Sequence, residues 1–489
     1  MSIRENEYGS LPDKYSKYIM LQEICQVFYP QQNMNFNQAY NYILSLNNLP
    51  RKEYMSDPRH CGWYLLRLQF FLNLIGNPER KIPHYIHVTG TSGKGSVTAY
   101  LHSILQASGK TVGSTYSPHP TIITERWKVG KHYMTKKEFA DIVEYLKPKL
   151  DEYIAKTPYD MLSFFEVTEA IGLLFFVRKK VSWAVMEVAC GGRTDSSNII
   201  PWKDAAIITN IGVDHIGVLG RNKAEIAYEK AGIIKRGAPV FTMEKDEKML
   251  EIIRKECKKN SAKLYLSHPT PYALRPTTDI GHMAYDVGKM KFSYQNENYS
   301  IPCLGAHQIR NAILCIEIAQ HLGISRQSIK KGLSRVQQPL RMEVVSKNPL
   351  IILDGAHNPD KMRTTVDTLH HFITSSLHHS DTRRNVNLLV GFSGDKNVAK
   401  MIKQLVSLKP KTIAVTRNTT NPFRKVADPQ STSKQFKKLL PKTKIKIFLD
   451  PKTALAWSKK QTKKDEILLV TGSIFVSGEL RPQFKVKKK

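Results

Sequence analysis

An α/β protein of two domains, each a mostly parallel sheet covered by helices, is what this sequence predicts. Short β-branched and apolar runs alternate with segments of helical period from about residue 84 onward. A glycine-rich stretch sits between one such run and the start of a helix. The alternation is interrupted between about 264 and 304 and restarts after QQPLR, which puts a domain boundary near 338. A chain of 489 residues is also too long for a single core.

In order along the chain, residues 1–33 are polar and turn-rich and read as an N-terminal extension. The first domain then spans 34–338. FNQAYNYILSL and WYLLRLQFFLNLIGNP carry apolar residues at three- and four-residue spacings, as amphipathic helices do, and Gly and Pro end the second. HYIHVTG reads as a strand, and after it Val97, Leu101, Ile104 and Leu105 mark one face of a helix that ends at Gly109. TVGSTYS, WAVMEV, AAIITNIG and APVFTM read as further strands with helical segments between them. Short β-like pieces follow between 264 and 304, and HQIRNAILCIEIAQHLG is a helix. In the second domain, 339–489, the alternation restarts, and LIILDGAH, NVNLLVGFSG, TIAVTRN, KIKIFLD and ILLVTGS read as strands with helical segments between them. There is no internal repeat and no low-complexity tract.

Composition narrows the class. Apolar residues make up 41% of the chain, enough to fill two cores. Six cysteines, at 25, 61, 190, 257, 303 and 315, form no CxxC pair and no regular spacing, which favours a reducing cytosol over a disulfide scaffold. The N-terminus has no apolar core of signal-peptide length, and AIGLLFFV is far short of the about 20 residues that cross a bilayer. A cytoplasmic protein that enters no membrane is expected. The formal charge of +32 raises nucleic acid as a partner. Lys and Arg are spread along the whole chain, however, and dense clusters such as FKVKKK lack interleaved aromatics, so a solvated lysine-rich surface that draws in anionic substrates is the better reading.

Chemistry begins at 87–98, HVTGTSGKGSVT. A strand, flexible glycines, a lysine and a hydroxyl at a helix start aim backbone amides and the helix N-terminus at an anion. The common template GxxxxGK(S/T) would put glycine where Val88 stands and would follow Lys94 directly with Ser or Thr, where this chain has Gly95. The loop, Thr91, Ser92, Gly93, Lys94, Gly95 and Ser96, is thus a shortened, P-loop-type phosphate cradle. Lys94 is placed to neutralise the β- and γ-phosphates of ATP or GTP, and Ser96 to reach the phosphates or their magnesium.

Other candidates lie at strand ends, which share one edge of a parallel sheet with the loop. Glu187 ends WAVMEV, and Asp214 and His215 follow AAIITNIG. A carboxylate there suits Mg²⁺ on the triphosphate; imidazole is an unusual ligand for so hard an ion, and a structural histidine is the alternative. Lys230, in AYEKAGIIK, reads locally as a surface helix lysine paired with Glu225 or Glu229. In the second domain Asp354, His357 and Asn358 follow one strand and Ser473 another, in loops that carry function or are simply loops.

Taken together, the motifs resemble those of the folylpolyglutamate synthase and dihydrofolate synthase family of the Mur ligase superfamily. The match runs from about 34 to 482 and includes HVTGTSGKGSV, YSPHP with TERWKV, SFFEVTEAIGLLFF, MEVACGGRTDSSN, ITNIGVDHIGVLG, IAYEKAGIIK, GAHQIRNA, PLRME, LDGAHNPD and LLVTGSIFVSGELRP, in the family's order. The resemblance implies an ATP-binding domain, a Rossmann-like C-terminal domain and a cleft between them. It implies transfer of L-glutamate to a folate carboxylate, that of tetrahydrofolate or of dihydropteroate, through an acyl phosphate. Ser117, Glu187 and His215 match magnesium ligands. Lys230 matches a lysine carboxylated by CO₂ that serves a second magnesium and the γ-phosphate. Asn311, Arg341 and Asp354 match nucleotide-holding positions, and His357 and Ser473 match positions tied to activity near the cleft. A hinged cleft suits a monomer.

Three departures from the family pattern stand out. Ser92 replaces the usual Asn, Ala189 and Cys190 replace Gly and Leu, and Pro120 follows His119 where Leu is common. Two other functions remain open from sequence: a Mur-type ligase acting on another carboxylate such as a cell-wall precursor, and a basic nucleotide- or nucleic-acid-binding protein without ligase activity.

Overall fold

The computed structural model describes residues 34–46, 63–212, 219–267, 289–375, 384–420 and 425–484. The stretch read as an N-terminal extension, Cys25, Cys61, Asp214 and His215 lie outside the described residues.

Helix α1, Phe36–Ser45, starts from a capping box between Asn35 and Gln38, and α2 spans Trp63–Leu74. The chain then enters the sheet through β1, His84–Thr89, and turns at the glycine loop into α3, Lys94–Ala107. Next come β2, Val112–Thr115, β3, Trp127–Val129, β4, His132–Tyr133, α4, Lys136–Lys156, and α5, Phe164–Arg178. Both α4 and α5 begin with capping boxes, Thr135 with Glu138 and Ser163 with Glu166. They are followed by β5, Trp183–Glu187, β6, Ala205–Ile208, α6, Lys223–Ala231, β7, Val240–Thr242, α7, Glu247–Lys259, and β8, Leu264–Leu266.

These strands form one sheet in the order β4-β3-β2-β5-β1-β6-β7-β8. From β2 to β8 all neighbours are parallel, and β3 and β4 add an antiparallel edge that sequence patterning did not reveal. Chain order reverses at β1: its crossover leads to β2 on one side, and β6 lies on the other. The C-terminal end of β1, where the glycine loop begins, is therefore a topological switch point, the place where open α/β sheets bind ligands. One face of the sheet packs on α1, α2, α4 and α5 through residues such as Phe71, Phe139, Tyr153 and Phe176. The opposite face is covered by α3 together with a hairpin, β9, Met290–Tyr294, and β10, Glu297–Ile301, and two helices, α8, Ala306–His321, and α9, Arg326–Arg335.

The second sheet follows from residue 343. Its strands are β11, Glu343–Lys347, β12, Leu350–Leu353, β13, Val386–Val390, β14, Thr412–Val415, β15, Lys444–Ile447, and β16, Ile467–Thr471. Their order is β11-β12-β16-β13-β14-β15, parallel throughout except for the edge strand β11. Helices α10, Pro359–Ser375, α11, Val398–Val406, α12, Pro429–Leu439, α13, Pro451–Gln461, and α14, Ile474–Leu480, cover both faces. The central strands are buried along their whole length, as parallel strands between two helix layers must be. The two units touch near their active edges: the Thr121 hydroxyl donates to the Gly478 carbonyl at 3.0 Å, and a methyl group on Gly478 would lie 1.8 Å from the Pro120 carbonyl oxygen.

Candidate active site

The glycine loop is held in shape by the end of β6. The Thr91 amide donates to the Asn210 carbonyl at 2.9 Å, the Ser92 amide to Asn210 Oδ1 at 2.9 Å, and the Thr209 hydroxyl to the Ser92 carbonyl at 2.6 Å. Thr91 also bridges to Gly212, donating from its hydroxyl and accepting from the Gly212 amide at 2.8 Å. Gly93 caps α3 with φ +88°, a left-handed conformation that glycine adopts without strain. A Cβ there would lie 2.9 Å from Asn311 Oδ1, so the Asn311 amide on α8 rests directly over the loop. Lys94 folds back onto its own loop, its ammonium donating to the Gly90 carbonyl at 2.9 Å. Ser96 is buried one turn in, and its hydroxyl accepts from Gln308 Nε2 at 3.3 Å.

Charge converges on Gly95. A Cβ at that position would stand 3.4 Å from Glu187 Oε2 and 3.7 Å from Arg341 Nη2. Glu187 is 7% exposed, and its Oε2 accepts from the Ser117 amide at 3.2 Å, which joins the ends of β5 and β2. Burial pushes its carboxyl above the usual range, against the pull of Lys94, the Ser117 amide, Arg341 and Lys361. Arg341 comes from the segment that leads into the second sheet, so both units contribute to this point.

Lys230 is not on the surface. It is 3% exposed, in the last turn of α6. The turn after β5 packs on that helix end: the Arg193 amide donates to the Glu229 carbonyl at 2.8 Å, and a Cβ on Gly192 would lie 2.9 Å from the Glu229 carbonyl and 3.0 Å from that of Lys230. The glycine pair of ACGGRTD thus lets the strand carrying Glu187 and the helix carrying Lys230 approach one another. His215, the other expected ligand, lies outside the described residues, and among the described residues no group of three or more His, Cys, Asp or Glu side chains forms a metal cluster.

In the second unit Asp354 is a buried hub. Its carboxylate accepts from the Met342 amide at 3.1 Å, the Ala356 amide at 3.0 Å and the Thr365 hydroxyl at 2.7 Å. It therefore fixes the segment that carries Arg341. His357 turns its Nδ1 to the Gly355 carbonyl at 2.8 Å and its Nε2 to Lys361 Nζ at 3.1 Å. Burial and the nearby Lys361, Arg341 and Lys396 hold its pKa well below the ordinary histidine value, so the ring is neutral: Nδ1–H donates to the carbonyl and Nε2 accepts from the ammonium. Ser473 is the N-cap of α14, its hydroxyl accepting from the Phe475 amide at 3.2 Å.

Sequence reasoning did not single out a polar cavity that opens beside Glu187 and Ser117. Arg126, Glu169 and Asp195 line it, with Phe165 and Trp127. Burial lowers the Arg126 pKa to about 10. The available signal was Glu169 itself, a charge immediately before the apolar run AIGLLFF.

Residues 88–319 match the family model of the Mur ligase middle domain, and residues 340–474 that of the Mur ligase glutamate ligase domain. The chain is 30% identical over 432 residues to the dihydrofolate synthase/folylpolyglutamate synthase of Bacillus subtilis, covering 86% of this chain and 94% of that one. Among solved structures it is similar to the folylpolyglutamate synthase of Thermotoga maritima, with a TM-score of 0.73, 26% identity and coverage of 93% and 97% of the two chains. It is also similar to the Mycobacterium tuberculosis folylpolyglutamate synthase complexed with ADP and AMPPCP, with a TM-score of 0.74, 25% identity and coverage of 87% and 96%.

Proposed function

The chain belongs to the folylpolyglutamate synthase/dihydrofolate synthase family of Mur ligases, and from that premise we infer that it is an ATP-dependent ligase joining L-glutamate to a folate carboxylate. The observation that carries the reading is the convergence at Gly95, where the phosphate loop, the Glu187 carboxylate and the Arg341 guanidinium of the adjoining unit meet within 4 Å of one position.

The chemistry requires that arrangement. A carboxylate is a poor acyl donor because its leaving group would be oxide. When one of its oxygens attacks the γ-phosphorus of ATP, ADP leaves and an acyl phosphate forms; the glutamate amine then attacks the carbonyl carbon, loses a proton and expels phosphate. Lys94 moves from the Gly90 carbonyl to the phosphates and offsets charge as the phosphoryl group transfers. Arg341 reaches the same phosphates from the other side of the cleft, held by Asp354 through the Met342 amide. Asn311 lies against the loop at Gly93, where the nucleotide enters. His357, its neutral ring held between the Gly355 carbonyl and Lys361, and Ser473, the N-cap of α14, are the further ligase-domain residues we assign to the cleft.

A buried carboxylate whose pKa is raised by burial, next to a phosphate loop, suits a hard divalent cation. Ser117 and Glu187, with His215 and a carboxylated Lys230, would hold magnesium, which when bound neutralises the phosphate oxygens and polarises the γ-phosphorus. The burial of Lys230 against the turn that follows the Glu187 strand supports a role within the fold rather than at its surface, and carboxylation would turn it into an anion able to share the cation's charge. We assign residues 34–338 to the ATP-binding domain and 339–489 to the ligase domain. We further infer a cytoplasmic monomer that binds no specific nucleic acid; the spread of Lys and Arg along the chain supports the last point, and no helix among the described residues is long and apolar enough to cross a membrane.

Purified protein is tested with ATP, Mg²⁺, L-glutamate and either tetrahydrofolate or dihydropteroate, following phosphate release and product mass. Phosphate that appears only with a pteridine acceptor, with a product heavier by one glutamyl unit, is the expected result. Silence with both acceptors overturns the assignment.

A further inference from the structure

Arg341 stands between two residues of left-handed backbone: Leu340 has φ +57° and Met342 φ +49°. Neither is glycine, and residues with a Cβ disfavour that region, so the turn keeps its shape only where its surroundings impose it. Both flanking side chains are buried. The Arg341 guanidinium folds back over the turn, its Nη1 donating to the Leu340 carbonyl at 3.2 Å.

Two carboxylates impose it. Asp354 accepts from the Met342 amide on one side of Arg341, and Glu343, the first residue of β11, accepts from the Leu340 amide on the other, Oε2 lying 3.0 Å away. Glu343 is itself clamped by Arg481, the C-cap of α14. Arg481 Nε donates to Oε1 at 3.0 Å and to Oε2 at 2.8 Å, and Nη2 donates to Oε1 at 2.8 Å. A guanidinium that grips both oxygens fixes the direction of a carboxylate as well as its charge. The two side chains are 15% and 23% exposed, so water screens the pair only in part.

A left-handed turn that lost one of its carboxylates would relax toward ordinary backbone. Arg341 leaves the chain inside that turn, so relaxation would swing its guanidinium away from Gly95, where Nη2 now stands 3.7 Å from the position of a Cβ. A charge partner displaced by about 1 Å serves a phosphoryl transfer poorly. Building on the ligase assignment, we propose that Glu343 and Arg481 are positioning residues: together they hold the Leu340–Met342 turn in its left-handed form and so keep Arg341 aimed at the phosphate loop.

A double-mutant cycle on the full chain tests this, reading the Kd of AMPPCP with Mg²⁺ by calorimetry. Glu343→Ala raises that Kd about tenfold when Arg341 is present, and by less than about twofold in an Arg341→Ala background, because the clamp acts through Arg341. Arg481→Met gives the same pattern. In turnover the KM of ATP rises with the Kd, while the KM of L-glutamate stays within about twofold. Glu343→Gln keeps an acceptor for the Leu340 amide and loses the pairing charge; its Kd rises about threefold, and it carries the test should the other variants fail to fold. A pair that merely stabilised the fold would weaken binding equally in both backgrounds. Equal losses with and without Arg341, or a Kd unchanged in every folded variant, overturn the proposal. Nucleotide binding needs no acceptor, so a wild-type protein that releases no phosphate with either folate overturns the ligase reading and leaves the cycle to be judged separately.

Discussion

Lys94 and Lys230 are both lysines at helix ends, and their surroundings give them different tests. Lys94 is partly exposed, its ammonium hydrogen-bonds the Gly90 carbonyl of its own loop, and beyond that its charge acts on Glu187, so the fold draws little support from it. Lys94→Ala should therefore lower kcat by roughly 10²- to 10³-fold, the scale of a lost transition-state charge partner, while a thermal melt stays within about 0.5 kcal/mol of wild type. Lys230 is buried, and if it carries CO₂ its function is that of an anion. Lys230→Ala should be inactive and partly rescued by added short carboxylic acids, and stripping CO₂ from the buffer should slow the wild-type enzyme but not the rescued variant. Failure of every carboxylic acid to restore activity would contradict carboxylation. The glycine loop was legible in sequence because its chemistry is local: strand, glycines, lysine and helix follow one another. Lys230 was not, because AYEKAGIIK describes an ordinary exposed helix end, and its burial comes from the ACGGRTD turn packing on α6, a tertiary contact.

At the level of elements, the parallel strands and the helices between them follow from β-branched runs and helical spacing. Strands β3, β4 and β11 did not, since two- to five-residue strands at or next to a sheet edge take their identity from the strand they pair with and carry little pattern of their own. A second hidden feature is Arg67 in α2, inside WYLLRLQFF, a helix that reads as apolar. Its side chain is fully buried, with Nε and Nη2 donating to the two oxygens of Glu166 at 2.7 and 2.6 Å and Nη1 to Asp160 at 2.8 Å. The same Glu166 closes the capping box of α5, the helix that carries Phe165 and Glu169. Arg67→Met should cost about 3–5 kcal/mol, because the buried Glu166 carboxylate and the half-buried Asp160 lose their guanidinium, and it should show as a lower urea midpoint. Adding Glu166→Gln should recover part of the loss. A single variant as stable as wild type would show that the ion cluster does not hold α2 to α5.

For the whole molecule, the order of motifs along the chain makes the two-unit plan legible in the sequence, and it brings in Asn311 and Arg341, which have no local signature, beside Asp354, whose strand-end position is a weak one. What sequence could not supply is the meeting point itself: Glu187, Arg341 and Gly95 are distant in the chain and converge only because β1, β5 and the segment before β11 share one edge of the cleft. The cavity with Glu169 and Asp195 was hidden for the same reason. The central claim is that this cleft moves a phosphoryl group from ATP to a folate carboxylate before the amide forms. It is tested most directly with a folate acceptor whose reacting carboxylate carries ¹⁸O. With ATP, Mg²⁺ and L-glutamate, one ¹⁸O should appear in each phosphate released, because the acyl phosphate keeps a carboxylate oxygen when the amine displaces it. Phosphate released without the label, at the rate at which the glutamylated product forms, would contradict the account.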